Sequence, residues 1–345
     1  LAAGGAFAYI LPNKWMRANY GKPLRAWLKE RCIEEIVDFG DLPVFESATT
    51  YPCILRIGAG APREPFDAVQ VETLDYPNLT DYVKAHAYPV NQMYLDEEGW
   101  SLADEKTQAL LEKIRVAGVP LGTYVDGEIY RGVLTGLNKA FVIDEMTKEQ
   151  LIHQDSKSAE IIRPFLVGRD VKRYQPLETD KFLIFTRRGV NIDSYPAIKE
   201  YLKQFKNELM PRPNGWKGDK WQGRKPGSYQ WYEIQDTVNY YDEFEKPKIL
   251  WPGISSQIAS FALDESHLYG NDNTQMIMSD DKYLLGILNS KMSRQYLKSI
   301  CDIVQGGFYR LKIIYISQIP IRTIDPSNPA DVARHDRMVA LVEKM

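Results

Sequence analysis

The chain contains few of the residues that build disulfides or metal centres. Its 345 residues include only three cysteines (Cys32, Cys53 and Cys301) and four histidines. The cysteines lie far apart and the histidines show no metal-ligand spacing, which argues against a disulfide framework and a structural zinc site. We therefore predict no bound metal, and free thiols suited to a reducing cytoplasm.

Long apolar runs and catalytic motifs are also missing. No stretch approaches the ~20 apolar residues that a membrane span needs, so we expect no membrane partner. The sequence has no P-loop and no Ser, His and Asp arrangement with motif support. DEFEKPK (residues 242–248) holds the letters of a nuclease motif at the wrong spacing, interrupted by Pro247. Residue chemistry alone therefore indicates a binding protein that carries part of an α/β domain.

Charge is distributed unevenly along the chain. Residues 163–231 contain 15 Lys and Arg against 7 Asp and Glu, a net charge of +8. Because the whole chain carries −3, the remainder carries −11. Such segregation is typical of a face that meets an anionic partner.

The first 117 residues alternate as an α/β domain does. We predict a strand at residues 6–11, a helix at about 22–32, and strands in IEEIVDFG (33–40) and TTYPCILRI (49–57). This order is typical of the last third of a doubly wound sheet. The first strand should then leave one sheet edge open, or have it covered by a second copy of the chain. GAGAPREP (58–65) is predicted to be a turn, because its prolines stop the helix that a cofactor loop requires.

From about Pro120 onward, the sequence predicts short strands with intervening helices, which is typical of an α+β domain. The predicted fold class is thus α/β, with a partial Rossmann-like sheet followed by an α+β domain. We expect the divisions at residues 1–117, 118–325 and 326–345, the last being a C-terminal helix.

The strongest local feature is MPRPNGWKGDKWQGRKPGSYQWYEI (residues 210–234), which interleaves cations with aromatic rings. Its Gly and Pro residues exclude a helix or a central strand. Such a loop suits phosphate contacts and rings that stack on bases or wedge between them. The alternative is a basic surface loop whose rings pack back onto the domain. The candidate DNA-binding residues here are Arg212, Trp216, Lys217, Lys220, Trp221, Gln222, Arg224 and Lys225.

Three further residues are candidates on weaker grounds. Arg187 and Arg188 end an apolar strand in FTRRGVN (185–191), where they either contact phosphate or guanine or form a solvated strand end. Phe45 lies in PVFESATTYP (43–52), between two strands and near where α/β domains bind ligands. A core Phe is the alternative there.

Several stretches, in order, resemble the type IIG restriction-modification and Eco57I/TaqI-like DNA adenine-N6 methyltransferases. In the first region they are GGAFAYILPNKWM (4–16) and IVDFGDLPVFESATTYPCILRI (36–57). In the second they are YRGVLTGLNKAFVID (130–144), IIRPFLVGRDVKRY (161–174), KPKILWPGIS (246–255), LLGILNSKMSRQYL (284–297) and GGFYRLKIIYISQIPI (306–321).

The resemblance implies a methyltransferase parent of a restriction-modification or phage-defence system that uses S-adenosylmethionine. It assigns residues 118–325 to target recognition on double-stranded DNA, and Phe45 to the aromatic that packs on the flipped base. The family's cofactor loop and its catalytic Asn-Pro-Pro-Tyr segment do not occur in this sequence. We expect them upstream in the same polypeptide, with a nuclease domain before them in type IIG members. The segment alone should then bind DNA without methylating it.

Two other functions stay open from the sequence. The chain could be a stand-alone specificity subunit or DNA-binding module that works with a separate methyltransferase. It could also be a module that binds protein or RNA, whereas phosphate contacts to DNA would make the affinity fall steeply with salt.

Overall fold

Short strands and short helices alternate along the chain. A computed structural model describes residues 1–46, 50–62, 64–95, 99–258, 260–304 and 307–345. The strands are β1 (Ala6–Pro12), β2 (Cys32–Asp38), β3 (Pro52–Gly58), β4 (Phe66–Gln70), β5 (Tyr88–Val90), β6 (Val119–Pro120), β7 (Ile129–Arg131), β8 (Val142–Asp144), β9 (Ile162–Leu166), β10 (Lys181–Ile184), β11 (Lys248–Pro252), β12 (Ile254–Ser255), β13 (Ala262–Asp264), β14 (Tyr269–Gly270), β15 (Thr274–Ile277), β16 (Asp302–Val304), β17 (Phe308–Arg310) and β18 (Pro320–Ile321). The α-helices are α1 (Lys22–Lys29), α2 (Leu79–His86), α3 (Glu105–Val116), α4 (Leu121–Tyr124), α5 (Asn138–Phe141), α6 (Glu145–Gln154), α7 (Pro196–Lys203), α8 (Lys206–Leu209), α9 (Lys282–Leu288), α10 (Lys291–Ile300), α11 (Ile313–Ile316) and α12 (Pro329–Val342).

The chain divides into two compact units. The first comprises residues 1–124, 254–258 and 290–325, and the second comprises residues 125–253, 259–289 and 326–345. These units do not follow the divisions expected at 118 and 326, because the segment 290–325 packs with the first unit. The functional domain boundaries stay predictions.

The first unit is built on a five-stranded sheet with the order β1-β3-β2-β4-β5. β3 runs antiparallel to both β1 and β2, whereas β2 and β4 are parallel. One face packs against Trp15, Leu28 and Trp100, and Val37 and Phe39 belong to a second apolar cluster. The predicted strand, helix and two further strands are confirmed, and the α/β class agrees with the expectation. The sheet that they form is mixed, because β3 is antiparallel to both of its neighbours.

The predicted open edge on the first strand is also confirmed. β1 is the edge strand of its sheet, with β3 as its hydrogen-bonded neighbour among the described strands. Its apolar side chains Phe7, Tyr9 and Ile10 are 47%, 60% and 45% exposed. The edge leaves backbone N–H and C=O groups of β1 open to pairing, and the exposed side chains show that the faces of this strand are also incompletely covered.

The glycine-containing stretch after β3 is a turn, as predicted. Residues 59–62 carry neither helix nor strand, and β4 begins at Phe66. Since no helix follows the stretch, it cannot form the helix N-terminus that holds a cofactor phosphate.

The second unit contains two four-stranded sheets, β14-β9-β10-β8 and β13-β11-β15-β7. Their core includes Phe141, Phe165, Leu183 and Phe244, all of them buried. α7 and α8 follow β10 and lead into the basic segment at Met210. This unit thus carries the basic and aromatic residues that the sequence singles out.

Candidate nucleic-acid interface

A loop of residues 212–225, here called the cationic loop, follows α8 in the second unit. Its two ends are joined by backbone hydrogen bonds, in which Arg212 N donates to Arg224 O (3.0 Å) and Arg224 N donates to Met210 O (2.9 Å). The indole of Trp221 also donates to Met210 O, at 3.1 Å. The base of the loop is therefore fixed while its tip projects from the unit.

The cations of this region face solvent. Arg212, Lys217, Lys220 and Lys225 are exposed, and none of them forms an ion pair with any residue that the structure describes. Gln222 is exposed beside them. Asp219 is the one carboxylate of the loop and is exposed too, so four exposed cations outnumber one anion and the loop attracts an anionic partner.

The two tryptophans of the cationic loop pack on each other. Their rings meet edge to face with centroids 5.0 Å apart and an interplanar angle of 68°. Trp221 is half-buried, whereas Trp216 remains 46% exposed. The alternative in which every ring packs back onto the domain therefore does not apply to Trp216.

Arg224 has the opposite environment and requires a correction. It is 4% exposed, and its guanidinium donates to backbone carbonyls at 2.7–3.2 Å. The acceptors are the carbonyls of Leu209, Thr135, Glu233, Gln230 and Trp231. Burial lowers the pKa of Arg224 to about 10, so the group stays charged at neutral pH. Because its donors are used inside the protein, Arg224 holds the loop's base and is not retained as a DNA contact.

Arg188 requires the same correction. Its guanidinium donates to the carbonyls of Ile234 and Gln235, each at 2.9 Å, and lies 3.5 Å from the carboxylate of Glu233. The buried ring of Tyr229 has the guanidiniums of Arg188 and Arg224 at 4.8 Å and 4.3 Å from its centroid. These residues form a polar network that fixes the segment following the cationic loop.

Arg187 points elsewhere and stays available. Its guanidinium is exposed and stacks 4.4 Å from the ring centroid of Tyr241. Both residues line a cleft of about 840 Å³ in the second unit. Tyr269 lines it as well, and burial together with its hydrogen bond to Glu245 raises the pKa of its hydroxyl. One Nη of Arg187 donates to the carbonyl of Arg188 at 3.5 Å. The remaining in-plane donors can still bind a phosphate or a base edge.

Phe45 lies in the first unit, in the connection between β2 and β3. Its side chain is 41% exposed, whereas the adjacent Val44 packs against the apolar cluster of Val37 and Phe39. Residues 47–49 of the same stretch lie outside the described residues. An exposed ring at a strand connection can stack on a ligand, and the core alternative does not apply here.

Sequence reasoning missed Glu233 and Tyr229. Glu233 accepts hydrogen bonds from the backbone N–H of Gly189 (2.7 Å) and of Gln230 (2.8 Å), and it is buried. A signal was present, since Glu233 is the only carboxylate in residues 220–235 of a strongly basic region. A lone carboxylate among cations is a candidate for a buried partner.

The described parts of the chain contain neither a metal-binding cluster nor a membrane-spanning helix. Within them, no group of three or more His, Cys, Asp or Glu side chains could hold a metal ion. None of the helices described there is long and apolar enough to cross a membrane.

Residues 163–321 match the family of TaqI-like C-terminal specificity domains, and residues 1–45 match the Eco57I restriction-modification methylases. The resemblance seen in the sequence is thereby confirmed, and the cationic loop and Arg187 lie inside the segment that matches the TaqI-like specificity domains.

Three curated relatives are two type II methyltransferases and one type II restriction enzyme and methyltransferase. The chain is 26% identical to the type II methyltransferase M.PaeR7I of Pseudomonas aeruginosa, over 93% of this chain and 56% of that protein. It is 24% identical to the type II restriction enzyme and methyltransferase RM.Eco57I of Escherichia coli, over 96% of this chain and 36% of that protein. It is 23% identical to the type II methyltransferase M.XhoI of Xanthomonas vasicola, over 93% of this chain and 59% of that protein. The chain thus spans between about a third and three fifths of the length of these relatives.

A solved structure shares the fold. The type IIL restriction-modification enzyme MmeI, determined in complex with DNA, superimposes with a TM-score of 0.58 at 13% identity, covering 99% of this chain and 42% of MmeI. At this identity the likeness shows the fold alone, and it agrees with the mixed α/β class.

Proposed function

We propose that this chain is the C-terminal part of a site-specific DNA adenine-N6 methyltransferase of a restriction-modification or phage-defence system, and that it supplies recognition of duplex DNA. The observation that carries the proposal is the cationic loop within the specificity domain. Its four exposed cations outnumber its one carboxylate, Asp219, and form no ion pair with the described residues. The domain around them carries the chain's positive excess.

The exposed side chains divide into two kinds of contact. Arg212, Lys217, Lys220 and Lys225 suit phosphate oxygens, whose neutralisation releases counterions from the duplex. Gln222 and Arg187 carry the planar donor groups that read adenine and guanine edges, each good bidentate pair giving about 1–3 kcal/mol of discrimination. Trp221, whose indole N–H is engaged at the loop base, supports Trp216.

The methyl-transfer chemistry belongs to other parts of the parent protein. S-adenosylmethionine would be bound outside these 345 residues, because the stretch after β3 has no following helix and the sequence contains no Asn-Pro-Pro-Tyr. No step of methyl transfer is assigned to this chain, which we expect to be inactive by itself. Within it, the exposed ring of Phe45 is our candidate for stacking on the adenine that the enzyme must flip out of the duplex.

Two measurements test this function. Fluorescence anisotropy of a labelled duplex should show binding by the 345-residue chain that weakens by orders of magnitude between about 50 and 200 mM salt. Affinity that ignores salt would contradict DNA recognition and favour a protein partner. Sequencing of modified bases in cells that carry the complete reading frame should show N6-methyladenine in one motif. Its absence would contradict the proposal that the parent protein is an adenine-N6 methyltransferase.

The second candidate is a stand-alone specificity subunit that acts with a separate methyltransferase. The observation that favours it is the absence of both catalytic motifs from the 345 residues. An in-frame Asn-Pro-Pro-Tyr upstream of Leu1 supports the first function, and a start codon close to Leu1 supports the second. Either one keeps the cationic loop as the DNA contact.

A further inference from the structure

An exposed aromatic ring stands among the cations of the cationic loop. Trp216 is 46% exposed, and Lys217 follows it directly in the chain. Arg212 and Lys220 lie in the same loop and are exposed too. A single exposed apolar side chain is common on protein surfaces, so the exposure of Trp216 gains its meaning from the cations around it.

The ring is held in place from within the loop. Trp221 packs edge to face on it, and Trp221 is itself hydrogen-bonded to the backbone of Met210. A Cβ placed on Gly218 would lie 2.5 Å from the Trp216 ring, so the backbone of Gly218 closes tightly against the ring edge. A ring that is already ordered loses little conformational freedom when it binds.

The surrounding charges identify the partner. The cations next to the ring attract phosphates, and the apolar ring offers no hydrogen-bond readout apart from its single N–H. Proteins that bind the DNA minor groove frequently insert a protruding apolar side chain between base steps, partly unstacking them and kinking the duplex by about 20–90°. A protein surface would more often match an exposed Trp with apolar neighbours than with unpaired cations.

We propose that Trp216 is a wedge that enters the base stack of the bound duplex and opens one base step. The proposal rests on the proposed function, since it requires the cationic loop to lie against DNA. It adds a deformation of the duplex to the phosphate and base-edge contacts. Opening a step near the target also lowers the cost of extruding a base.

The probe is a mixed-sequence duplex of about 20 base pairs, roughly two helical turns, with 2-aminopurine at several positions of one strand. 2-Aminopurine brightens when it loses its stacking neighbours. At saturating wild-type protein we expect the fluorescence to rise. Trp216→Ala should bind about 5- to 100-fold more weakly and, at its own saturation, leave the fluorescence low. Its salt slope should equal that of wild type, and Trp216→Phe should restore most of the rise.

Trp27 supplies the matched control, because it is 49% exposed and belongs to the first unit. Trp27→Ala should behave as wild type in both binding and fluorescence. Two results overturn the wedge and leave DNA recognition intact. In the first, wild-type protein binds but the 2-aminopurine fluorescence does not rise. In the second, the fluorescence rises fully with Trp216→Ala. Failure of the wild-type chain to bind the duplex overturns the proposed function and the wedge with it.

Discussion

Replacing Arg224 by alanine removes one charged group that joins three separate segments of the second unit. The guanidinium donates to Leu209 before the cationic loop, to Thr135 near β7, and to three carbonyls in residues 230–233. It also lies 4.3 Å from the ring centroid of Tyr229. The carbonyls of Thr135 and Gln230 also accept backbone hydrogen bonds, from Gln235 N (3.1 Å) and Glu233 N (3.0 Å). Within the described parts of the chain, the other three carbonyls must find water or stay unpaired once Arg224 is gone.

The magnitude follows from the number and kind of these bonds. A hydrogen bond from a charged donor contributes about 1.5–3 kcal/mol, but bonds from one group are not additive. Loss of a buried, fully bonded charged side chain typically costs about 3–5 kcal/mol, and we expect that range for Arg224→Ala. Lys225→Ala removes the same charge from an exposed neighbour and should change the free energy of unfolding by only about 0.5 kcal/mol or less.

Hydrogen exchange at the backbone amides of residues 210–235 is the assay, because the chain has two units and a single unfolding midpoint would mix them. Arg224→Ala should lose protection throughout this segment, whereas Lys225→Ala should keep it. In duplex binding, Arg224→Ala should weaken affinity without changing the salt slope, since it loosens the loop and removes no phosphate contact. Equal protection in the two variants would refute the structural role of Arg224.

Three other outcomes follow from buried groups. Burial and nearby carboxylates raise the pKa of Tyr88 to about 12. Since the unfolded chain releases this proton near pH 10, the free energy of unfolding should fall as the pH rises from 10 to 12. Urea unfolding of Tyr88→Phe should therefore depend less on pH in this range. Burial raises the pKa of Cys53 to about 12, so iodoacetamide should label half-buried Cys32 in the native protein and leave Cys53 unlabelled until urea is added, as mass spectrometry would show. Lys248 and Asp264 form a fully buried ion pair at 2.6 Å, so Asp264→Ala should lower the free energy of unfolding by about 3–5 kcal/mol, and a loss below 1 kcal/mol would contradict it.

The sheet of the first unit could be predicted because its apolar pattern has little competition. The strand expected at residues 6–11 is Ala6–Pro12, and the helix expected at 22–32 is Lys22–Lys29. The helix is shorter than predicted because β2 begins already at Cys32, where it pairs with Gly58. The strand pairing, a long-range property, overrides local helical spacing there.

The fate of each cation could not be predicted from the sequence. Arg224 and Lys225 are neighbours of equal charge in one loop, yet one is buried and the other exposed. What separates them is a set of carbonyls contributed by distant segments, and no local pattern encodes it. The same holds for Arg187 and Arg188, whose adjacent positions direct them to different surroundings, Tyr241 for one and Glu233 for the other.

The most direct test of DNA recognition by the cationic loop is the salt dependence of duplex binding in two variants of equal charge. The first replaces four exposed cations with alanine: Arg212, Lys217, Lys220 and Lys225. The control replaces four exposed lysines of the first unit: Lys29, Lys84, Lys106 and Lys113. Each phosphate contact adds about 0.9 to the slope of log affinity against log salt, so the loop variant should lose up to about 3–4 from the slope. The control should keep the wild-type slope, and a slope that is unchanged in the loop variant or equally reduced in both would contradict the assignment.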